Sequence, residues 1–257
     1  MGQYFIPVLE RNGKTTIFDN HFKVKGDTEK QRNFMKLTEH SWVHGEYIEG
    51  FCNKLLNKPA RVMWVGDYSD DTPRVSADGT TTKINQYVYY MLSNPKKDIY
   101  EKVKQNDSWY RTYEEYEKAV NDRKERITAY ENEKEKMNCE RKPYINYNGK
   151  FNSTDKFIYN ITRNEYIEMN TYVKRSMEDV SSEGYIRCLH PLPILTSTSN
   201  GQGSRDYYGI NEDYAGRWCY DEIVIYSDKK KIPDTATELV VTFNERMRSD
   251  EYVEGVV

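Results

Sequence analysis

The chain predicts an α+β fold, a β-rich body with an inserted charged helical arm. Three observations carry this: strand-like runs gather toward both ends of the 257 residues, amphipathic helical spacing lies between them, and the composition turns abruptly to charge at Lys96. Tyr4 to Leu9 and Thr15 to Phe22 read as strands around Arg11-Asn12-Gly13-Lys14. Asn-Gly is the strongest short hairpin signal, because both turn residues need positive φ. From Val43 to Leu56, the residues Tyr47, Ile48, Phe51, Cys52, Leu55 and Leu56 recur in pairs every four positions. That spacing is one buried face of a helix, which Ser41 would cap and Asn57 with Pro59 would close. Arg61 to Val65 follows as a buried strand ending at Gly66-Asp67-Tyr68. Beyond the polar stretch Ser69 to Thr82, the spacing of Ile84, Tyr87, Val88, Met91 and Leu92 is helical again, and Ser93-Asn94-Pro95 ends it.

Between Lys96 and Lys142, 13 basic and 12 acidic side chains stand among 47 residues, so this stretch cannot be core. Thr112 and Glu115 match a capping box. After it Tyr113, Tyr116, Val120, Ile127, Tyr130 and Met137 step by three and four along a helix from about 112 to 138, roughly 40 Å long at 1.5 Å per residue. With a shorter helix near 95 to 106 it would form an antiparallel arm, 96–142, inserted into a single body made of 1–95 and 143–257. Arg123 and Lys134 interrupt the seam, and a coiled-coil homodimer would have to bury both charges. The arm is therefore expected to pack on its own chain, with no stable coiled-coil homodimer through it. Strands return at Phe157 to Thr162 and Glu165 to Met169, flanking Arg163-Asn164. Ile186 to Leu195 is apolar but carries Pro191 and Pro193, which points to an edge or an extended crossing. Glu222 to Tyr226 and Leu239 to Phe243 complete the strands, separated by Lys229-Lys230-Lys231 and Pro233.

The 38 basic and 41 acidic side chains nearly cancel to a formal charge of −3, which argues against both a basic nucleic-acid coat and an acidic DNA mimic. A mean hydropathy of −0.94 and the lack of an apolar run near 18 residues argue against a membrane span. Phe5 to Leu9 is too short for a signal peptide, and Ile6 stands where a myristoylation signal wants Ser or Thr. Cys52, Cys139, Cys188 and Cys219 are far apart, without a C-x-x-C pair, and fit a reducing compartment. A cytoplasmic protein is expected.

The richest stretch is His190-Pro191-Leu192-Pro193-Ile194-Leu195-Thr196. It continues through Asn200-Gly201-Gln202-Gly203-Ser204-Arg205-Asp206-Tyr207-Tyr208-Gly209 to Gly216-Arg217-Trp218-Cys219-Tyr220-Asp221. Together with the hairpin from Tyr159-Asn160-Ile161-Thr162 to Glu165-Tyr166-Ile167, it resembles an uncharacterised family of bacterial and mobile-element hypothetical proteins over the C-terminal third of the chain. The shared features are an H-P-L-P-L-L-like run, a glycine-rich segment ending in G-D-Y, and a G-x-W-x-x-D element before a strand. Val65-Gly66-Asp67-Tyr68 is a weaker echo, and Ser204 and Arg205 stand where the family's glycines are common. The resemblance implies a shared fold unit and attaches no activity to it.

Gly201 and Gly203 permit close backbone approach, so Asn200 to Arg205 could wrap an anion with N–H groups and the Arg205 guanidinium. The spacing is not that of a phosphate loop, and an ordinary turn-rich connection accounts for the glycines as well. Arg217 and Asp221 are four apart, and Arg205 and Asp206 adjacent; ion pairs pinning this loop to the sheet would explain them equally. Asp67, Asp70 and Asp71 follow a strand, where carboxylates can hold Mg²⁺ with substrate phosphates, although a solvated turn is the commoner reading. His40 with His44 and Cys188 with His190 would have to assemble a zinc site from one correctly spaced pair, so no metal or cofactor is expected. Of His21, His40, His44 and His190, the last adjoins the glycine loop, but no nucleophile motif accompanies it and no catalytic residue is assigned. Lys229 to Lys231 and the basic residues of the arm could meet nucleic acid with tyrosines stacking on bases; a solvated charged face is the better account.

The expected function is that of a non-enzymatic interaction protein of a bacterium or mobile element such as a phage. Its partner would be a protein or protein–nucleic-acid complex, with inhibition of a host defence or nucleic-acid-processing complex as the most concrete version. Tyr113, Tyr116 and Tyr130 are the partner-binding candidates, since tyrosine combines contact area, a polar tip and few rotatable bonds. The alternative is an enzyme or binding protein for a phosphorylated small molecule such as a nucleotide, held at the Gly201 to Arg205 loop. Its ligand-binding candidates are Asp67, His190, Asn200, Gly201, Gly203, Arg205, Asp206, Arg217 and Asp221.

Overall fold

Asn12 and Gly13 take φ of 52° and 70°, the two left-handed positions of a type I′ turn, and join β1 (Phe5–Arg11) to β2 (Lys14–Phe18). The hairpin falls where its sequence signal places it. The computed structural model describes residues 5–18, 41–66, 72–92, 112–134, 138–142, 149–178, 188–198 and 214–242. Helix α1 (Glu46–Leu55) leads into β3 (Ala60–Gly66), the two-stranded ribbon of β4 (Arg74–Val75) and β5 (Thr81–Thr82), and α2 (Ile84–Leu92). Then come α3 (Tyr113–Lys134), β6 (Cys139–Lys142), β7 (Phe157–Asn160), β8 (Glu165–Glu168) and α4 (Met169–Glu178). The short helix α5 (Pro191–Leu195), β9 (Glu222–Tyr226) and β10 (Thr237–Glu238) follow. The fold is α+β, with one large mixed sheet of eight strands in the order β10-β8-β7-β9-β3-β1-β2-β6. Its interior pairs are antiparallel, and β10 on β8 and β6 on β2 run parallel at its two margins.

Both faces of the sheet are covered, and β3 shows it residue by residue. Ala60, Val62 and Trp64 enter one core, Met63 and Val65 the other, because successive side chains of a strand alternate between faces. The strand is therefore an almost unbroken apolar run. On the first face Ile48, Phe51 and Leu55 of α1 meet Phe18 and Trp64, with Phe51 and Trp64 rings edge-on at 5.6 Å. On the second, Ile84, Tyr87 and Val88 of α2 cover Ile6, Val8 and Ile17. Fully burying a side chain of this size contributes about 1.5–3 kcal/mol. Arg11 ties α1 to the hairpin, donating to the carbonyls of Lys54, Lys58 and Pro59 at 2.8 Å each, a cation at the helix end whose carbonyls lack partners.

Four expectations are corrected. Ser41 does not cap α1: Gly45 precedes the helix, and Glu49 of its first turn reaches back to the His44 N–H at 3.0 Å. Pro191 and Pro193 do not mark an extended crossing. They lie in α5, where a proline in the first turn removes an N–H that has no intrahelical acceptor anyway, and the whole segment is buried. The terminal strand is Thr237–Glu238 rather than one beginning at Leu239, and residues 239–242 carry no regular structure. The charged stretch 96–142, finally, does not lie wholly outside the sheet. Its last residues, Cys139–Lys142, are β6, paired with Thr15 to Phe18, and Glu140 there binds Lys14 at 2.8 Å and Lys142 at 3.1 Å. Helix α3 is the long helix expected, with Thr112 Oγ1 accepting the Glu115 N–H at 3.2 Å, and it lies beside α2. The shorter helix near 95 to 106 falls outside the described residues.

Replacing 96–137 by a Gly/Ser linker is expected to preserve cooperative melting, because β6 stays. Replacing 96–142 should lower Tm by at least about 3 °C more, since β2 then loses its neighbour. Equal melting temperatures by circular dichroism would show that β6 contributes nothing.

Candidate functional site

Asp221 lies just before β9 and has no exposure to solvent. Both of its oxygens are filled. Oδ1 accepts from Ser76 Oγ at 2.8 Å and the Ala77 N–H at 2.9 Å; Oδ2 accepts from Asn160 Nδ2 at 2.9 Å and Arg163 Nε at 2.6 Å. A carboxylate offers about four lone-pair sites, so none is left for a substrate proton or a metal ion. Ser76 also accepts from Arg61 Nη1 at 3.1 Å, and Arg61 Nη2 reaches Asp78 at 2.6 Å and Thr80 at 3.1 Å. Hydrogen bonding to Arg61 and to the Thr80 amide holds the Asp78 carboxyl far below the usual carboxylate range. The β4–β5 ribbon is thus clamped onto the end of β3 and β9 by two acids and an arginine.

Backbone strain aims Asp221 inward. Tyr220 takes φ +62°, a left-handed position uncommon for a bulky residue. Its N–H bonds the Val62 carbonyl at 2.8 Å, its ring lies 5.4 Å from the Arg61 guanidinium, and its hydroxyl donates to Glu10 at 2.9 Å. Burial and the Glu10 charge push that phenol up to about 12.

Arg217 and Asp221 each form an ion pair that ties this segment to the β7–β8 hairpin, Asp221 with Arg163 and Arg217 with Glu165. Arg217 turns to Glu165, donating from Nε at 3.2 Å and from Nη2, and Trp218 Nε1 adds a third bond to the same carboxylate at 2.8 Å. Burial alone would raise Glu165; the hydrogen bonds from Arg217 and Trp218, and the charges of Arg217 and Arg163, hold it below its ordinary value.

His190 is elsewhere, sealed in the main core at the N-terminus of α5. Nδ1 accepts the Leu192 N–H at 3.3 Å, and Nε2 lies 3.5 Å from Cys52 Sγ. Burial, with His44 adding to it, lowers the ring to about 3, so it is neutral. With Nδ1 accepting, the tautomer assigned by this network carries its proton on Nε2, pointed at the sulfur. The ring is then no base for Cys52, whose thiol is held protonated by burial and by Glu49. Glu49 is itself buried and accepts from Ser153 N at 2.8 Å and Ser153 Oγ at 2.7 Å. Among the described residues no three metal-binding side chains converge, and Cys188 takes a bond from Ser176 rather than joining His190.

Of the candidates for a ligand site, Asp67, Asn200, Gly201, Gly203, Arg205 and Asp206 lie outside the described residues. His190, Arg217 and Asp221 are described, and each has a different set of partners. The lysine run is exposed: Lys229 sits 5.2 Å from the Tyr166 ring, and Lys231 lies 5.7 Å from the Tyr226 ring while bonding Asn57 at 2.7 Å. Sequence reasoning missed Asn160, Arg163, Glu165, Ser76, Glu49 and Cys52, which meet their partners over long separations and carry no local motif. No protein-family model, curated protein or solved structure matches the chain.

Asp221→Ala leaves Arg163 and Asn160 facing a void, and is expected to cost about 3–5 kcal/mol of unfolding free energy in urea. Arg217→Gln, at a half-exposed pair, should cost under about 1 kcal/mol; similar losses for the two would refute the ranking. His190 is depressed in the fold, so its contribution is complete above 6.5 and declines as pH falls toward about 3, where only the unfolded chain takes the proton. Between pH 6 and 5 the wild type should therefore lose stability faster than His190→Gln, by a slope approaching about 1.4 kcal/mol per pH unit. Parallel slopes would contradict a neutral buried ring.

Proposed function

We propose that the protein is a non-enzymatic interaction protein of a bacterium or mobile element, binding a protein or protein–nucleic-acid complex chiefly through the α3 helix. In this reading 96–137 is an arm inserted into the α+β body, and inhibition of a host defence or nucleic-acid-processing complex is its most concrete form. What supports the reading is where the chemistry-bearing groups among the described residues are spent: His190 is sealed, the Asp221 lone pairs are filled, and the Cys52 thiol is held protonated. The 22-residue helix, by contrast, presents Glu114, Glu117, Lys118, Asp122, Lys124 and Glu125 to solvent. Tyr113 opens it with 41% of its surface exposed and its hydroxyl on Glu117 at 2.8 Å, a ring held in place at the surface. A pre-ordered aromatic costs little entropy to engage.

Tyr113→Ala combined with Tyr116→Ala is expected to weaken capture of the partner from native-host lysate by at least about tenfold, or 1.4 kcal/mol, while leaving the melting curve of the body unchanged. Undiminished capture by the folded double variant would remove the helix from the interface.

A further inference from the structure

The end of the sheet where β7 turns into β8 carries two arginines whose acids lie beneath them. Arg163 donates Nε to Asp221, and Arg217 donates Nε and Nη2 to Glu165. Side-chain exposure is 33% and 39% for the arginines against 0% and 16% for their acids, so the cations form the outer layer. From inside the protein Trp218 bonds Glu165, while Asn160, Ser76 and the Ala77 amide bond Asp221. The acids are thus satisfied without the outer edges of the guanidinium groups. Each guanidinium has five N–H donors; Arg163 spends one of them and Arg217 two, and neither has another acceptor among the described residues. The two ion pairs are adjacent: Asn160, which donates to Asp221, stands opposite Glu165 in the β7–β8 register, and the Arg163 charge acts on Glu165 as well.

We propose that Arg163 and Arg217 form a binding site for a carboxylate, presented by a small molecule or by an acidic side chain of a peptide. A planar guanidinium fork matches the two oxygens of a carboxylate with parallel hydrogen bonds. The acids beneath the two arginines, Asp221 fully buried and Glu165 partly so, fix the forks in advance, so little side-chain entropy is left to lose on binding. Charge selects the ligand class. Two arginines and two acids sum to no net local charge, and the whole chain carries −3, so nothing steers a polyanion such as nucleic acid to this surface. A single carboxylate, held by hydrogen-bond geometry rather than by field, is what the arrangement suits. The site stands apart from α3 and holds whether or not that helix captures a partner.

The test follows the arginine Nε–H resonances of the full chain by ¹⁵N NMR during titration with sodium acetate and with a hexaglutamate peptide, against sodium chloride at matched ionic strength. Saturable shifts at Arg163 and Arg217, absent at Arg61, are expected in one or both carboxylate arms; saturation with acetate assigns a free carboxylate, saturation with the peptide alone an acidic segment. Arg217→Gln should weaken the saturable arm at least tenfold, and Arg217→Lys, which keeps the charge but loses the fork, should not restore it. Linear shifts indistinguishable from chloride, saturation untouched by Arg217→Gln, or tighter binding of inorganic phosphate than of either carboxylate would each overturn the proposal.

Discussion

A carboxylate fully withdrawn from water must be given its hydrogen bonds by the chain around it, and meeting that demand at Asp221 organises one end of this molecule. Leaving such a group unpaired costs several kcal/mol. The four donors come from separate places: the ribbon between β3 and α2 supplies Ser76 and Ala77, β7 supplies Asn160, and the turn after it supplies Arg163. Tyr220 adopts a backbone conformation that costs about 1–3 kcal/mol so that the carboxylate points inward. The strain is held by the Val62 carbonyl, the Arg61 guanidinium and Glu10.

The same economy runs through the rest of the polar interior. Among the described residues no cation pairs with Glu49; it is met instead by the Ser153 amide and hydroxyl and by the His44 amide. His190 caps α5 and gives its other nitrogen to Cys52. Groups that in isolation suggest catalysis are used here to seat α1 and α5 against the sheet. What faces outward is the charged helix α3, with the outer edges of Arg163 and Arg217.

The sequence makes legible whatever depends on neighbours a few residues apart. Asn12-Gly13 forces its turn, the paired apolar steps of Tyr47 to Leu55 give α1, and Thr112 with Glu115 marks the start of α3. The failures share a cause, because each depends on a partner far along the chain. Cys139 to Lys142 reads as the end of the charged arm, and becomes a strand only because β2 lies ready to pair with it. The prolines of α5 read as breakers of a strand, since a strand is what the apolar run suggests; as first-turn residues of a helix they are well placed. That Arg217 and Asp221 would be tied to the sheet by ion pairs is legible, but not their partners, since Asp221 binds Arg163, 58 residues distant. Nothing local could favour that choice.

The central claim is that one buried acid couples the β4–β5 ribbon to the β7–β8 turn. Amide hydrogen exchange of the wild type and Asp221→Asn, compared residue by residue, tests it most directly. The variant keeps the side-chain shape but has one acceptor oxygen instead of two and no charge. Ala77 and Arg163 amides, on the two elements that Asp221 joins, are expected to lose protection together while Trp64 in the centre of β3 keeps its own. Loss at Ala77 with Arg163 unchanged, or no loss at either, would contradict the account.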